Sequence, residues 1–347
     1  MTEPPFAPLP TQPLNQQMRQ PLRQPLRQPP TPPPSQPLIQ WEASHSTGWN
    51  QRPMRLAHTL HQHPALQLDA LAALVGRYPA QDCALMLTRR QGEGGQRWRQ
   101  GERAGLPGGQ VVDAIAAGSL WLNLREVHRH GAAYAGLLQA AYAQISANVP
   151  GFAAGALKMG ILISSPQVQV DFHCDLPGQL LWQIHGHKRV WVYPPHAPFL
   201  RPEWLEDIAY TGFEFRLQYD PQFDREALVF DLAPGQMLTW PLNSPHRVDN
   251  GDMLNVSVTT EHWTAHNRRS QRLNLANALL RHHLGWRQPG RALSGPAFWA
   301  KSALQAAWRA SPWARQAQRP DRAPEFRLAP DQPAGWVDLV AGAAAGP

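Results

Sequence analysis

The sequence predicts a mainly β protein with flanking helices, whose central part closes into a sandwich or barrel. Three observations predict this. Short β-type segments follow one another from Pro150 to Trp263 with no helical period between them, each is bounded by Gly, Pro, Asn or Asp, and the helical period returns only after Trp263. The segments are 157–163, 168–173, 179–184, 189–193, 228–232, 236–240 and 253–262, and His185-Gly186-His187 reads as a hairpin turn between two of them.

Around this core the chain changes character several times. Residues 1–38 hold 13 of the 36 prolines and a repeat of Arg-Gln-Pro, which buries too little apolar surface to offset ordering entropy. A disordered or polyproline-like tail is expected there. Residues 39–150 read as a mixed α/β flanking region, with helical period over 66–75 and 134–145, strands over 83–87 and 120–124, and a Gly- and Arg-rich loop over 91–109. Region 151–263 is the β core, and 264–315 holds C-terminal helices. Leu273, Ala276, Asn277, Leu280 and Leu284 form one apolar stripe ending near Gly285, and a second helix is expected over 298–308. Residues 316–347 read as an extended tail.

Composition narrows the function. The net charge of +7 is concentrated in residues 264–347, which carry 12 basic and 4 acidic residues. An Arg-rich C-terminal region can contact nucleic acid, and its helices suit a homodimer contact as well as a solvated face. No apolar run approaches the roughly 20 residues of a membrane span, and the N-terminus lacks the order of a signal peptide, so a soluble, cytoplasmic protein without a membrane partner is expected. Cys83 and Cys174 cannot form a disulfide framework. No Gly-rich phosphate loop, nucleophile elbow or C-x-x-C pair is present, which disfavours nucleotide hydrolases, serine esterases and zinc ribbons.

The chemistry centres on Phe172-His173-Cys174-Asp175. On a strand, residues i and i+2 share a face, so His173 and Asp175 can aim into a barrel while Phe172 and Cys174 point away. A third donor is His246, 73 positions after His173, where the strand ending at Trp240-Pro241 gives way to a turn. Two His and one carboxylate occupy one face of an octahedral iron and leave the opposite face open, the ligand set of non-haem Fe(II) oxygenases. The pairs His185/His187, His128/His130 and His61/His63 lack a third donor.

The surroundings of the triad add specificity. His173-Cys174-Asp175 is followed by Gln179-Leu180-Leu181-Trp182-Gln183-Ile184, then Gly186-His187-Lys188-Arg189 and Tyr193-Pro194-Pro195; later come Gly235-Gln236-Met237, Trp240-Pro241 and Pro245-His246. This run resembles the JmjC and cupin-like Fe(II)/2-oxoglutarate oxygenases, especially the asparaginyl-hydroxylase type. The resemblance covers residues 150–263 closely and the preceding hundred loosely. It implies a double-stranded β-helix core, with His173, Asp175 and His246 as iron ligands and catalytic centre. Lys188 would pair with the distal carboxylate of 2-oxoglutarate, and Gln179 would stand where relatives carry Asn. Lys188 is one of only three lysines beside 29 arginines, which makes a chance match less common. Val170 departs from the pattern, since such hydroxylases often carry a hydroxyl residue there.

The resemblance therefore implies an Fe(II)/2-oxoglutarate-dependent dioxygenase that hydroxylates a protein side chain or another macromolecular substrate. Asn255, Ser257, Thr259 and Glu261 alternate with Val256 and Val258, so one polar strand face either lines the barrel near the cosubstrate or meets water. A second reading is a non-catalytic, metal-binding cupin-like regulatory protein whose basic C-terminal region contacts nucleic acid. A third is a cupin enzyme that uses metal without 2-oxoglutarate.

Overall fold

Eight consecutive strands are divided between two facing sheets, four to each, and that division builds the site. The computed structural model describes residues 37–88, 99–212, 214, 217–287, 289–314, 323–332 and 334–339. Most of the Pro-rich segment expected as a tail lies outside these residues. In chain order the flanking elements are α1 (Ala43–Gly48), β1 (Met54–Ala57), α2 (Leu68–Arg77), β2 (Cys83–Leu87), β3 (Arg99–Glu102), α3 (Gly108–Ala117), β4 (Leu120–Leu124) and α4 (Ala132–Asn148). The core strands are β5 (Gly155–Ser164), β6 (Gln169–His173), β7 (Gly178–His185), β8 (Lys188–Val192), β9 (Leu228–Leu232), β10 (Gln236–Thr239), β11 (His246–Asn250) and β12 (Asn255–Trp263), with α5 (Pro202–Thr211) inserted between β8 and β9. After them come α6 (Ala265–Leu284), α7 (Gly295–Ala310), β13 (Phe326–Leu328) and β14 (Trp336–Asp338).

The large sheet has the order β1-β10-β7-β12-β5-β4-β2-β3-β13-β14, and the small sheet β6-β11-β8-β9. Strands β5, β7, β10 and β12 thus face β6, β8, β9 and β11, which is the double-stranded β-helix arrangement. The tight β7–β8 hairpin that switches sheets needs Gly186, whose φ is +73° and where a Cβ would sit 2.4 Å from the carbonyl oxygen of Leu254.

Three apolar clusters follow from strand alternation. The outer face of the large sheet packs with α2, α3 and α4 through Leu71, Val111, Ile145, Ile161, Trp182 and Val258. Inside the barrel, Leu181, Val190, Leu232, Leu238, Trp240 and Val248 form a dry layer. Phe172 and Cys174 point outward, as their spacing predicts, into a third cluster with Tyr193, Phe199 and Ile208.

Several sequence expectations need correction. His246 does not sit in a turn: it opens β11, paired directly with His173 of β6. The expected loop over 91–109 contains β3 and the start of α3, while residues 91–98 lie outside the described residues. Gly101 is what permits β3 to accept β13, because a Cβ there would sit 2.2 Å from the Phe326 ring. The segment 316–347 is accordingly more than an extended tail, since Phe326 is fully buried in this sheet. Pairing of β4 with β5 also carries the large sheet across the expected boundary at 150. The stripe expected on α6 is instead a helix buried all round from Leu273 to Leu279.

Candidate metal centre and anion pocket

The barrel interior keeps one polar cavity, of about 190 Å³, beside its dry layer. His173, Asp175, His246, Lys188 and Gln179 all line it. Regular alternation would place Val170 and His173 on opposite faces, being three apart. A bulge resolves this: between the pairs His246↔His173 and Val248↔Val170, β6 uses three residue steps against two on β11. Both Val170 and His173 therefore line the cavity.

One ligand atom from each of His173, Asp175 and His246 lies within 4.8 Å of the others, and all three residues are buried. Among the described residues this is the set that brings three such donors together. His173 Nδ1 lies 2.7 Å from the carbonyl of Asp171, and His246 Nδ1 lies 3.1 Å from that of Ser244. A carbonyl only accepts, so each ring is assigned the tautomer that donates from Nδ1, which leaves Nε2 as a lone pair. Burial holds the His173 imidazole down to about 4, and burial with the neighbouring His173 ring holds His246 well below its ordinary value. Both rings are thus neutral near pH 7.

Asp175 Oδ2 is buried with no hydrogen-bond partner among the described residues, although His246 Nε2 stands only 3.4 Å away. Two lone pairs facing each other at that distance repel unless a cation lies between them. Without one, burial first and then Glu214 and Glu261 raise the Asp175 carboxyl well above its usual range. The donor set therefore fits a divalent metal, which would reverse that effect. Two imidazoles and one carboxylate select a first-row ion such as Fe(II).

Lys188 opens β8 and points into the same cavity, 6% exposed. Burial alone pushes its ammonium down to about 7, and among the described residues it has no hydrogen-bond or ion-pair partner. Across the strand pair stands Asn250, which donates through Nδ2 to Ser164 Oγ at 2.7 Å and to the carbonyl of Ser165 at 2.9 Å. The Ser164 hydroxyl accepts from Asn250 and so keeps its own proton to donate. An ammonium and a hydroxyl at one end of a cavity make an anion pocket.

The polar face of β12 divides along its length. Thr259 and Glu261 line the cavity, whereas Asn255 and Ser257 are buried and spent on the Gln183 side chain at 2.8 Å each. Gln179 of β7 stands opposite Glu261. Sequence reasoning missed Trp121, Asn123, Ser164, Glu214 and Asn250, which also line the cavity. Only Asn250 carried a local signal, as the last inward residue of the alternation His246, Val248, Asn250. The discounted histidines are employed elsewhere: His63 Nδ1 accepts from Ala65 N–H, His128 Nδ1 accepts from Met159 N–H, and His130 pairs with Asp82.

No known family's sequence profile matches the chain, and no curated protein matches it. Among solved structures, the X-ray structure of E. coli YcfD aligns with a TM-score of 0.46 at 18% identity, over 80% of this chain and 71% of that one. The structure of YcfD described as a ribosomal oxygenase from Escherichia coli in complex with cobalt and 2-oxoglutarate aligns at 0.43 and 19%, over 82% and 72%. The DMSP lyase DddQ from Ruegeria pomeroyi aligns at 0.21 and 11%, over 31% and 39%. Likenesses of this size assign no residue a role in this chain.

Proposed function

We propose that the protein is an Fe(II)- and 2-oxoglutarate-dependent dioxygenase that hydroxylates a side chain of a protein or another macromolecular substrate. The observation that carries this reading is the convergence, in one cavity, of three lone-pair donors and an ammonium that has no partner among the described residues. A cupin that used metal alone would have no employment for a buried Lys188. Residues His173, Asp175 and His246 would hold the iron. When bound, Fe(II) supplies the oxidative chemistry: 2-oxoglutarate loses CO2 and takes one oxygen atom of O2 to become succinate, while the other enters a substrate C–H bond.

The chain's own groups bind, orient and exclude water. Lys188 neutralises the distal carboxylate, a role that suits a compact ammonium at the end of a narrow cavity. Ser164 donates to the same carboxylate, with Asn250 fixing its orientation. Val170 offers no hydrogen bond there, so Gln179, Thr259 and Asn123 are neutral polar contacts along the wall. The apolar layer of Leu181, Val190 and Trp240 keeps water from the other side, which strengthens each electrostatic contact.

The regulatory alternative rests on the basic C-terminal region, and the structure gives those arginines other work. Arg281 and Arg291 pair with the buried Glu206 of α5 at 3.1 and 2.6 Å, and Arg269 donates to the carbonyl of Leu293. A second copy is the better partner for this end of the chain. Half the circumference of α7 is exposed and uncharged, through Pro296, Ala300, Ala303, Leu304, Ala307 and Ala310. A face of this length, with Trp299 and Leu304 at its margins, presents on the order of 400 Å² of apolar surface, about half of the roughly 800 Å² each partner gives to a standard interface. The free thiols Cys83 and Cys174 suit a reducing cytoplasm, and no described helix is long and apolar enough to cross a membrane.

The test is succinate release in air from 2-oxoglutarate, with Fe(II) and no added substrate. Slow, iron-dependent release that falls by at least about 100-fold in Asp175→Ala is expected. Release absent from the wild type, or untouched by Asp175→Ala, would sink the proposal.

A further inference from the structure

The three metal donors come from two segments, and Asn243 is the side chain that ties those segments together. It lies three residues before His246, in a turn closed by the N–H of Ser244 donating to the carbonyl of Pro241 at 3.0 Å. Its φ is +62°, a left-handed conformation that Asn tolerates better than other non-glycine residues. From that turn its Nδ2 donates to the carbonyl of Asp175 at 2.6 Å, across 68 positions of sequence. Asp175 lies two residues past the end of β6, where ladder pairing has ended. Without Asn243, the carboxylate ligand would hang on an unpaired loop.

The same loop is fastened on its other side. The N–H of Leu242 donates to Asn50 Oδ1 at 2.8 Å, and Asn50 is itself left-handed, with φ +57°. Beyond the turn, the carbonyl of Ser244 faces Nδ1 of His246, so the loop backbone also sets the tautomer of the third donor. Asn243 does not line the cavity and touches none of the donor atoms.

We infer that Asn243 is a positioning residue for the metal centre: its amide fixes the backbone of Asp175 to the loop that delivers His246, holding carboxylate and imidazole at metal-binding separation before any ion arrives. This rests on reading His173, Asp175 and His246 as a metal site. An outer contact of this kind acts through the ligands it orients, and losing one commonly costs about 10- to 100-fold in metal affinity.

Two variants separate positioning from turn formation. Asn243→Gly keeps the left-handed backbone and loses the amide; Asn243→Asp keeps the size and replaces the donor by a carboxylate that repels the Asp175 carbonyl. Co(II) is the probe, because its visible absorption reports both occupancy and coordination geometry, and the thermal midpoint of the metal-free protein reports the fold. The wild type is expected to bind Co(II), with both variants binding about 10- to 100-fold more weakly and with altered band shapes, while the metal-free midpoint of Asn243→Gly moves by only a few degrees. A glycine variant with wild-type affinity and spectrum overturns the inference. So does a large fall in the metal-free midpoint of both variants, which marks a residue needed only for the fold. A wild type that takes up no Co(II) defeats the metal-centre reading itself, and is distinguishable from both.

Discussion

Lys188 is the residue on which the chemistry turns. An ammonium buried without a counter-charge is destabilising, and burial accordingly pushes its pKa down to about 7. An anion in the cavity removes that cost and raises the pKa again. Affinity for a dicarboxylate is therefore full below pH 7 and falls as pH climbs toward the ligand-bound pKa, by up to about tenfold per unit. Calorimetric titration of 2-oxoglutarate into the metal-loaded, oxygen-free protein between about pH 6 and 9 should show this decline, and Lys188→Met should bind weakly with a shallower profile, its remaining slope coming from Glu214, whose carboxyl burial raises to about 7 on the same wall. A wild-type affinity independent of pH would mean that no buried ammonium receives the ligand. Lys188 was legible in sequence because lysine is rare here and stands at a fixed distance from Asp175. Ser164 and Glu214 were not, since an isolated Ser or Glu carries no signal until the fold brings it to the wall.

At the scale of elements, what was legible followed hydrophobic alternation. Strands β5, β7, β9 and β10 alternate strongly or run continuously apolar, and their positions were read within about two residues. Strand β11 escaped because it turns His246, Val248 and Asn250 inward and Arg247 and Asp249 outward, so its period is real but mostly polar on both faces. A strand that builds a site sacrifices the pattern that announces a strand. Helix α5 escaped despite Pro202 at its start and the left-handed Gly212 at its end, because it is a single ten-residue helix set inside a run of short strands. On α7 the conflict runs the other way, with an apolar face left in water. Light scattering at tens of micromolar protein should report a dimer, and Ala303→Glu with Ala307→Glu should halve its mass while leaving the thermal midpoint within a few degrees. A monomeric wild type would refute the pairing.

For the molecule as a whole, the division of labour between the sheets explains why the site sits where it does. The large sheet is anchored through its outer face to α2, α3 and α4, and it extends past the barrel to β13 and β14. The small sheet contributes His173, Lys188 and His246 from three of its four strands, with Asp175 just beyond β6. Strands thus hold His173, Lys188 and His246, and the Asn243 amide ties Asp175 to the loop before β11, as metal and cosubstrate sites require. The barrel was legible because its eight strands are consecutive. The flanking sheet was not, because β3, β13 and β14 are three or four residues long and β3 pairs with β13 across more than 200 positions.

The central claim is that one cavity takes Fe(II) and 2-oxoglutarate together. Its most direct test is an anaerobic titration of the protein with Fe(II) and then 2-oxoglutarate, followed in the visible for the metal-to-ligand charge-transfer band that appears only when the 2-oxoacid chelates the iron. A band in the wild type that Lys188→Ala shifts to at least about tenfold higher 2-oxoglutarate concentration is the predicted result. No band in the wild type, or a titration that Lys188→Ala leaves unchanged, would contradict it.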